Sequence, residues 1–184
     1  MEPHYLTTQY QFFFAAEDGN LARLKELIDT GQVNLNQCDD YGDNPVSLAI
    51  EHHKNDVLGL LLDSGANANQ HNFNDGQPPI LRAILHDNME ALETLLQSGA
   101  DINGRDKKQQ YTALMWATTC GLEDYVEYLL QAGASRAARN IDGETADMIA
   151  QKNDNTSLCA IFDRHKNAKF RNLKRYLRKQ RFKR

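Results

Sequence analysis

Hydrophobic pairs followed by a glycine punctuate this chain at a fixed step. The stretches Leu27-Ile28-Asp29-Thr30-Gly31, Leu61-Leu62-Asp63-Ser64-Gly65, Leu95-Leu96-Gln97-Ser98-Gly99 and Leu129-Leu130-Gln131-Ala132-Gly133 end on glycines that lie 34 residues apart, three times over. Before each pair, apolar residues recur at helical spacing, as in Leu21, Leu24, Leu27 and Ile28. That pattern predicts an amphipathic helix with one buried stripe. The glycine then supplies the left-handed conformation that often ends a helix. A period of this length predicts a stacked-repeat architecture, in which no unit buries its apolar face alone.

Each unit reads as a turn followed by two helices. The aromatic-rich start, with Tyr5, Leu6, Tyr10, Phe12, Phe13 and Phe14, leads into the first helix of an N-terminal capping unit. Asp39-Asp40-Tyr41-Gly42 is a turn by composition, and Asn44-Pro45 opens a helix, Asn as its cap and Pro in its first turn. Helices are predicted over Pro45 to His52, Asp56 to Asp63, Met89 to Gln97 and Glu123 to Gln131. The turns at Asn74-Asp75-Gly76, Lys108-Gln109-Gln110 and Asp142-Gly143 open the later units. The expected division is a repeat domain over 1–163, with units of about 6–38, 39–72, 73–106, 107–139 and 140–163, then a basic, helical tail over 164–184.

The second helices align in three columns: Leu24, Leu58, Leu92, Val126; Leu27, Leu61, Leu95, Leu129; and Ile28, Leu62, Leu96, Leu130. These are the expected core. The last unit places Cys159, Phe162 and Asp163 in the same columns, and an aspartate there predicts a solvated, capping end. Pro78 stands where a capping side chain is expected, and Gly59 interrupts a second helix; each costs about 1 kcal/mol. The missing cap makes the third unit an expected soft joint, and Gly59 adds its cost in the second.

The segments Asn44-Pro45-Val46-Ser47-Leu48-Ala49, Thr112-Ala113-Leu114-Met115-Trp116-Ala117 and Gly143-Glu144-Thr145-Ala146-Asp147-Met148-Ile149-Ala150 resemble the Thr-Pro-Leu-His-x-Ala signature of ankyrin repeats. Leu-Leu-x-x-Gly-Ala-x-x-Asn after the second helix is similar to that family's closing motif. The resemblance covers about residues 12–163, although the motif's histidine is replaced by Ser47, Leu81, Met115 and Met148. It implies an all-α solenoid of helix-turn-helix units whose turn tips project as fingers beside a concave face of first helices. Carried over by position, the fingertips are Asp40, Tyr41, Asp43; Asn74, Asp75, Gln77; Lys108, Gln109, Tyr111; and Ile141, Asp142, Glu144. The ends of the first helices add Glu17, Asp18; Glu51, His52; Leu85, His86; Thr119, Cys120; and Lys152, Asn153. Tyr41 and Tyr111, with Phe73 beside a tip, fit interface anchors or local packing. Trp116 reads as core at the base of a first helix. Asn69 and Asn103 close the repeat loops by bonding the turn backbone. The resemblance further makes Asn103 a candidate for hydroxylation by an animal asparaginyl hydroxylase.

Charge sharpens this picture. Eight of the twenty-two groove residues are acidic and two are lysines, so the implied groove is negative and favours a basic protein partner. The overall charge of −4 conceals an asymmetry: residues 164–184 hold eleven Lys and Arg and no Asp or Glu, leaving 10 basic and 25 acidic residues in 1–163. Phe170, Leu173, Tyr176, Leu177 and Phe182 fall roughly on one side of a helix predicted over 166–180, ringed by Lys174, Arg175, Arg178, Lys179, Arg181, Lys183 and Arg184. Such a tail suits nucleic acid or nuclear import, an anionic membrane surface, gating of the acidic groove, or a solubilising cap.

Other chemistry is sparse. No phosphate-cradling glycine loop, Cys-x-x-Cys, His-Glu-x-x-His or nucleophile elbow occurs, which argues against an enzyme and against a small-molecule substrate. Asp18, His52, His86 and Cys120 share one position in successive units. First helices lie about 8–10 Å apart, whereas zinc ligands sit about 2.0–2.3 Å from one metal, so no metal or cofactor is expected. Three scattered cysteines, without a signal peptide, point to a reducing compartment, the cytoplasm or nucleus. The expected function is that of a monomeric, non-enzymatic adaptor, scaffold or inhibitor holding a basic protein in its groove. The alternative is a regulator acting through the tail on nucleic acid or anionic lipid, including an effector that a bacterium or virus delivers into a host cell.

Overall fold

A computed structural model describes residues 7–73 and 75–166. Among these residues ten helices form and no strand. The chain divides after Ala113 into two compact bodies. The N-terminal body holds α1 (Thr8–Asp18), α2 (Leu21–Asp29), α3 (Pro45–Glu51), α4 (Asn55–Asp63), α5 (Pro79–Leu85) and α6 (Met89–Gln97). The first helices α1, α3 and α5 pack side by side in one layer, and α2, α4 and α6 in a second, with each pair also packed together. The C-terminal body takes in α7 (Ala113–Thr119), α8 (Glu123–Gln131), α9 (Ala146–Lys152) and α10 (156–166). The fold class is all-α and repetitive, as the period predicts.

Short polar side chains start most of these helices. Thr7, Asn20, Asn44, Asn88 and Thr145 each accept a hydrogen bond from a backbone N–H in the first turn, which satisfies a donor the helix cannot pair itself. Pro78 precedes α5 and provides no such bond, so the weak cap expected there is present. A glycine lies just past the end of α2, α4, α6 and α8. Gly31, Gly65, Gly99 and Gly133 have φ of 66°, 96°, 84° and 97°. A Cβ there would meet nothing within 4 Å, so backbone conformation rather than crowding demands glycine.

Two columns of the expected core are buried throughout the N-terminal body: Leu24, Leu58 and Leu92, then Leu27, Leu61 and Leu95. Each buried leucine contributes roughly 1.5–3 kcal/mol. The third column differs, because Ile28 and Leu96 are only half-buried while Leu62 is buried; it forms the edge of the stripe. Asn69 also differs from expectation. Asn69 Oδ1 accepts from Asp101 N of the next repeat at 2.7 Å, and Asn36 Oδ1 from Asn67 N at 2.8 Å. The bonds within each turn are made instead by Asn67 and Asp101, to Asn69 N and Asn103 N. Asn36 and Asn69 thus fix the spacing between repeats.

Gly59 lies inside α4, outside the left-handed region, and a Cβ there would meet nothing within 4 Å. Gly59→Ala is expected to stabilise the protein by about 1 kcal/mol, the helix-propensity difference between the two residues. A higher urea midpoint with unchanged slope would show it.

In the C-terminal body, Phe162 is buried and Asp163 exposed, so the last repeat ends on a wet side as its aspartate implies. Arg136 closes this end. Its guanidinium lies 5.3 Å from the centre of the Phe162 ring, donates to Phe162 O at 2.9 Å and forms an ion pair with Asp147. Residues 167–184, and with them nearly all of the predicted tail helix, lie outside the described residues.

Candidate functional site

The turn tips are built on an Asx column. Asp39, Asn72, Asp106 and Asn140 recur at steps of 33, 34 and 34 residues. The backbone N–H of each closes its tip on the carbonyl of Asp43, Gln77, Tyr111 and Glu144, at 2.9 to 3.1 Å. Asp39 Oδ1 also accepts from Tyr41 N and Asp43 N, and the Asp106 carboxylate from Lys108 N, Gln109 N and Tyr111 N. In the C-terminal body Asn140 Oδ1 accepts from Asp142 N and Glu144 N. Within the N-terminal body, neighbouring tips are joined through the backbone. Phe73 N donates to Gly42 O at 3.0 Å, and Lys107 N to Gly76 O at 3.2 Å.

Beneath the first two of these tips sits a cation that sequence reasoning missed. Arg82, in α5, is only 9% exposed and reaches three carboxylates: Glu51 at 2.7 Å, Asp75 at 2.9 Å and Asp43 at 3.1 Å. Asp43 also accepts from Asn72 Nδ2, and the buried Asn72 amide in turn accepts from Asn44 Nδ2 and from the Ser47 hydroxyl. A polar network therefore runs from the cap of α3 to the middle of α5. Burial pushes the Asp43 carboxyl above the usual aspartate value, against the pull of Arg82.

A cleft of about 230 Å³ opens next to this network, between α1, α3 and the second turn. Tyr10, Phe13, Phe14, Tyr41 and Leu48 supply its apolar lining; Glu17, Asp39, Asp40, Asp43, Glu51 and His52 supply the polar groups. Tyr10 and Phe13 meet edge to face at 6.4 Å. The Tyr10 hydroxyl donates to Asp40 Oδ2, which holds its proton and raises the phenol above its ordinary value. Glu17 Oε1 lies 3.6 Å from His52 Nε2. Among the described residues, Arg82 is the one Lys or Arg paired with these five carboxylates, and it reaches only Asp43 and Glu51.

The structure brings seven of the expected site residues together around this cleft or the Arg82 network: Glu17, Asp40, Tyr41, Asp43, Glu51, His52 and Asp75. Tyr41 is 78% exposed and Phe73 84%, as interface anchors would be, whereas Tyr111 is half-buried. Asp18, Lys108, Gln109 and Leu85 are exposed, and Gln77 and His86 half-buried, all in the N-terminal body. Thr119, Cys120, Ile141, Asp142, Lys152 and Asn153 are exposed on the C-terminal body. There Glu144 pairs with Lys152 at 2.7 Å, and that bond holds its carboxyl below the usual range. Asn74 and the tail residues are outside the described residues. Among the described residues, no three His, Cys, Asp or Glu side chains are placed to share a metal ion, and none of the helices is long and apolar enough to cross a membrane.

The family model for ankyrin repeats matches the chain over residues 12–106 and 68–140, with three copies. The chain belongs to the ankyrin-repeat family. No curated protein matches it in sequence. Ankyrin repeats generally mediate protein–protein interaction and are typically non-enzymatic. Two groups were missed on the sequence. One is Arg82, at a first-helix position that Leu48 and Trp116 occupy in the neighbouring repeats. The other is the cleft lining of Tyr10, Phe13, Phe14 and Asp39, for which the aromatic density before Ala15 was the available signal.

Proposed function

We propose that this ankyrin-repeat protein is a non-enzymatic adaptor or inhibitor that holds a basic protein partner against the tips and first helices of its N-terminal body. The observation that carries the reading is the excess of carboxylates at the cleft. Glu17, Asp39 and Asp40 have no Lys or Arg partner among the described residues, exposed Tyr41 lines the cleft with them, and Phe73 is exposed on the next tip. Complementary charge of this kind speeds encounter and excludes acidic competitors, and aromatic anchors supply contact area. Three free cysteines fit a reducing compartment.

The test must spare the Arg82 network. Reversing Asp43 or Glu51 would break internal ion pairs as well as surface charge, so Glu17→Lys with Asp40→Lys is the better variant. Affinity capture from nuclease-treated lysate, read by mass spectrometry, is expected to retain basic proteins on the wild type and lose them on the double variant. Capture indifferent to the two reversals would overturn the reading. A second reading rests on the eleven Lys and Arg of residues 164–184: regulation through nucleic acid or anionic lipid. It predicts partners that survive the double variant and vanish from a chain ending at Lys166.

A further inference from the structure

The cleft of the N-terminal body has properties that a merely acidic surface lacks. It is walled by rings from two separate segments. Phe14 of α1 is 52% exposed, Tyr41 on the tip that Asp39 closes is 78% exposed, and Tyr10, Phe13 and Leu48 complete the lining. Its volume of about 230 Å³ is below the ~300–1,000 Å³ of pockets that enclose drug-sized ligands and cofactors. The space suits one long side chain, and the lining sets its chemistry. An apolar stem can lie along Leu48 and the phenyl rings, while its head meets carboxylates: Asp39 and Asp40 from the tip, and Glu17 from α1.

From this geometry we infer that the cleft is a recognition pocket for a single arginine side chain presented by an extended segment of the partner protein. The inference rests on the proposed binding of a basic protein and names the group by which that protein is held. Arginine is favoured over lysine on two grounds. A planar guanidinium stacks on exposed aromatic faces, where the ring quadrupole attracts it. Its fork of N–H donors can also bond two carboxylate oxygens at once, whereas an ammonium is a strongly hydrated point charge. The protein already shows both halves of this chemistry internally. Arg82 is chelated by three carboxylates in the N-terminal body, and Arg136 lies over the Phe162 ring while pairing with Asp147 in the C-terminal one. The cleft displays carboxylates and rings in the same combination, without an arginine among the described residues that line it.

The occupant is assigned to another protein. The chain's own C-terminal residues 167–184 also carry arginines, and they enter the test as a rival. The probe is a fluorescein-labelled decapeptide of Gly and Ser with one central arginine and one flanking lysine, titrated into the full-length protein by fluorescence anisotropy. Two sister peptides replace the arginine with citrulline, its neutral isostere, or with lysine. Binding is expected to weaken roughly tenfold or more with citrulline, by loss of charge-assisted bonds, and several-fold with lysine. Asp40→Asn and Tyr41→Ala should each weaken the arginine peptide while leaving the thermal melt in place, because both side chains are exposed. Asp63→Asn, an exposed carboxylate on the second-helix layer, should not.

Equal binding of the arginine and lysine peptides would reduce the cleft to a general cation surface and overturn the arginine assignment. Equal binding of the citrulline peptide, or equal weakening by Asp63→Asn, would overturn it as well. If residues 167–184 as a synthetic peptide displace the probe at lower concentration than the unlabelled probe does, the cleft belongs to the chain's own terminus and the assignment to a partner falls. In any of these cases, captured proteins still lost on Glu17→Lys with Asp40→Lys would leave the broader reading of a basic partner standing.

Discussion

Arg82→Met is expected to lower the unfolding free energy by on the order of 3 kcal/mol, the cost of leaving buried charge without its counter-ion. Methionine keeps the apolar stem of the arginine and removes the guanidinium, so the pH dependence separates lost charge from lost packing. In the wild type, one guanidinium faces Asp43, Glu51 and Asp75. Without it, three carboxylates from two turns and the end of α3 confront each other at a few ångströms, and Asp43 is already penalised by burial. Their side chains keep partial access to water, which screens part of the repulsion and holds the loss below that of a fully enclosed triad. Urea unfolding would measure the difference, and pH would identify its origin. As pH falls through the carboxylate range, proton uptake relieves the repulsion in the variant, so the gap between wild type and variant should narrow. A gap that stayed constant from neutral pH to pH 4 would assign the loss to packing.

Phe12→Ala should cost about 3–5 kcal/mol, as truncation of a large, enclosed core aromatic does. Phe12 is 0% exposed, in the middle of α1, packed beside Phe13 with ring centres 6.5 Å apart. The loss would be concentrated at the end of the stack. In repeat proteins stability is close to a sum of local and nearest-neighbour terms, and among the described residues α1 and α2 pack on one neighbouring repeat, through α3 and α4. Hydrogen exchange should accordingly accelerate across α1 and α2 well before α5 and α6. Binding should fail in step with it, because Tyr10, Phe13, Phe14 and Glu17 of α1 form one wall of the cleft. If exchange rose evenly across all six helices of the N-terminal body, α1 would be an integral part of one cooperative core and not a separable cap.

The repeat period, the second helices and the capping residues were legible because they follow from local rules. Met89–Gln97 and Glu123–Gln131 are helical over the very spans that apolar spacing indicates. Asn44 caps α3 as its place before Pro45 implies. Arg82 was not legible for the opposite reason. Its partners lie 39, 31 and 7 residues away, and a lone arginine in a helix ordinarily reads as solvated. Asp43, Glu51 and Asp75 were therefore counted as groove charge when part of their charge is spent inside the protein. The cleft was half legible: Glu17, Asp40, Tyr41, Asp43, Glu51 and His52 were placed by repeat position, while Tyr10, Phe13 and Phe14 read as the core of a cap. Only the packing of α1 against α3 shows that one face of that aromatic cluster is turned outward.

The backbone bonds from Phe73 N to Gly42 O and from Lys107 N to Gly76 O bear on how such a protein could be redirected to new targets. Successive fingertips are clasped main chain to main chain, so their lengths are coupled, and a residue inserted in one would have to be absorbed by the next. Side chains at 40, 41, 73 and 108 project from that clasp as exposed residues without contributing to it. Variation confined to those positions changes what the surface recognises and leaves the frame in register, which makes them the natural sites for a randomised library of binders.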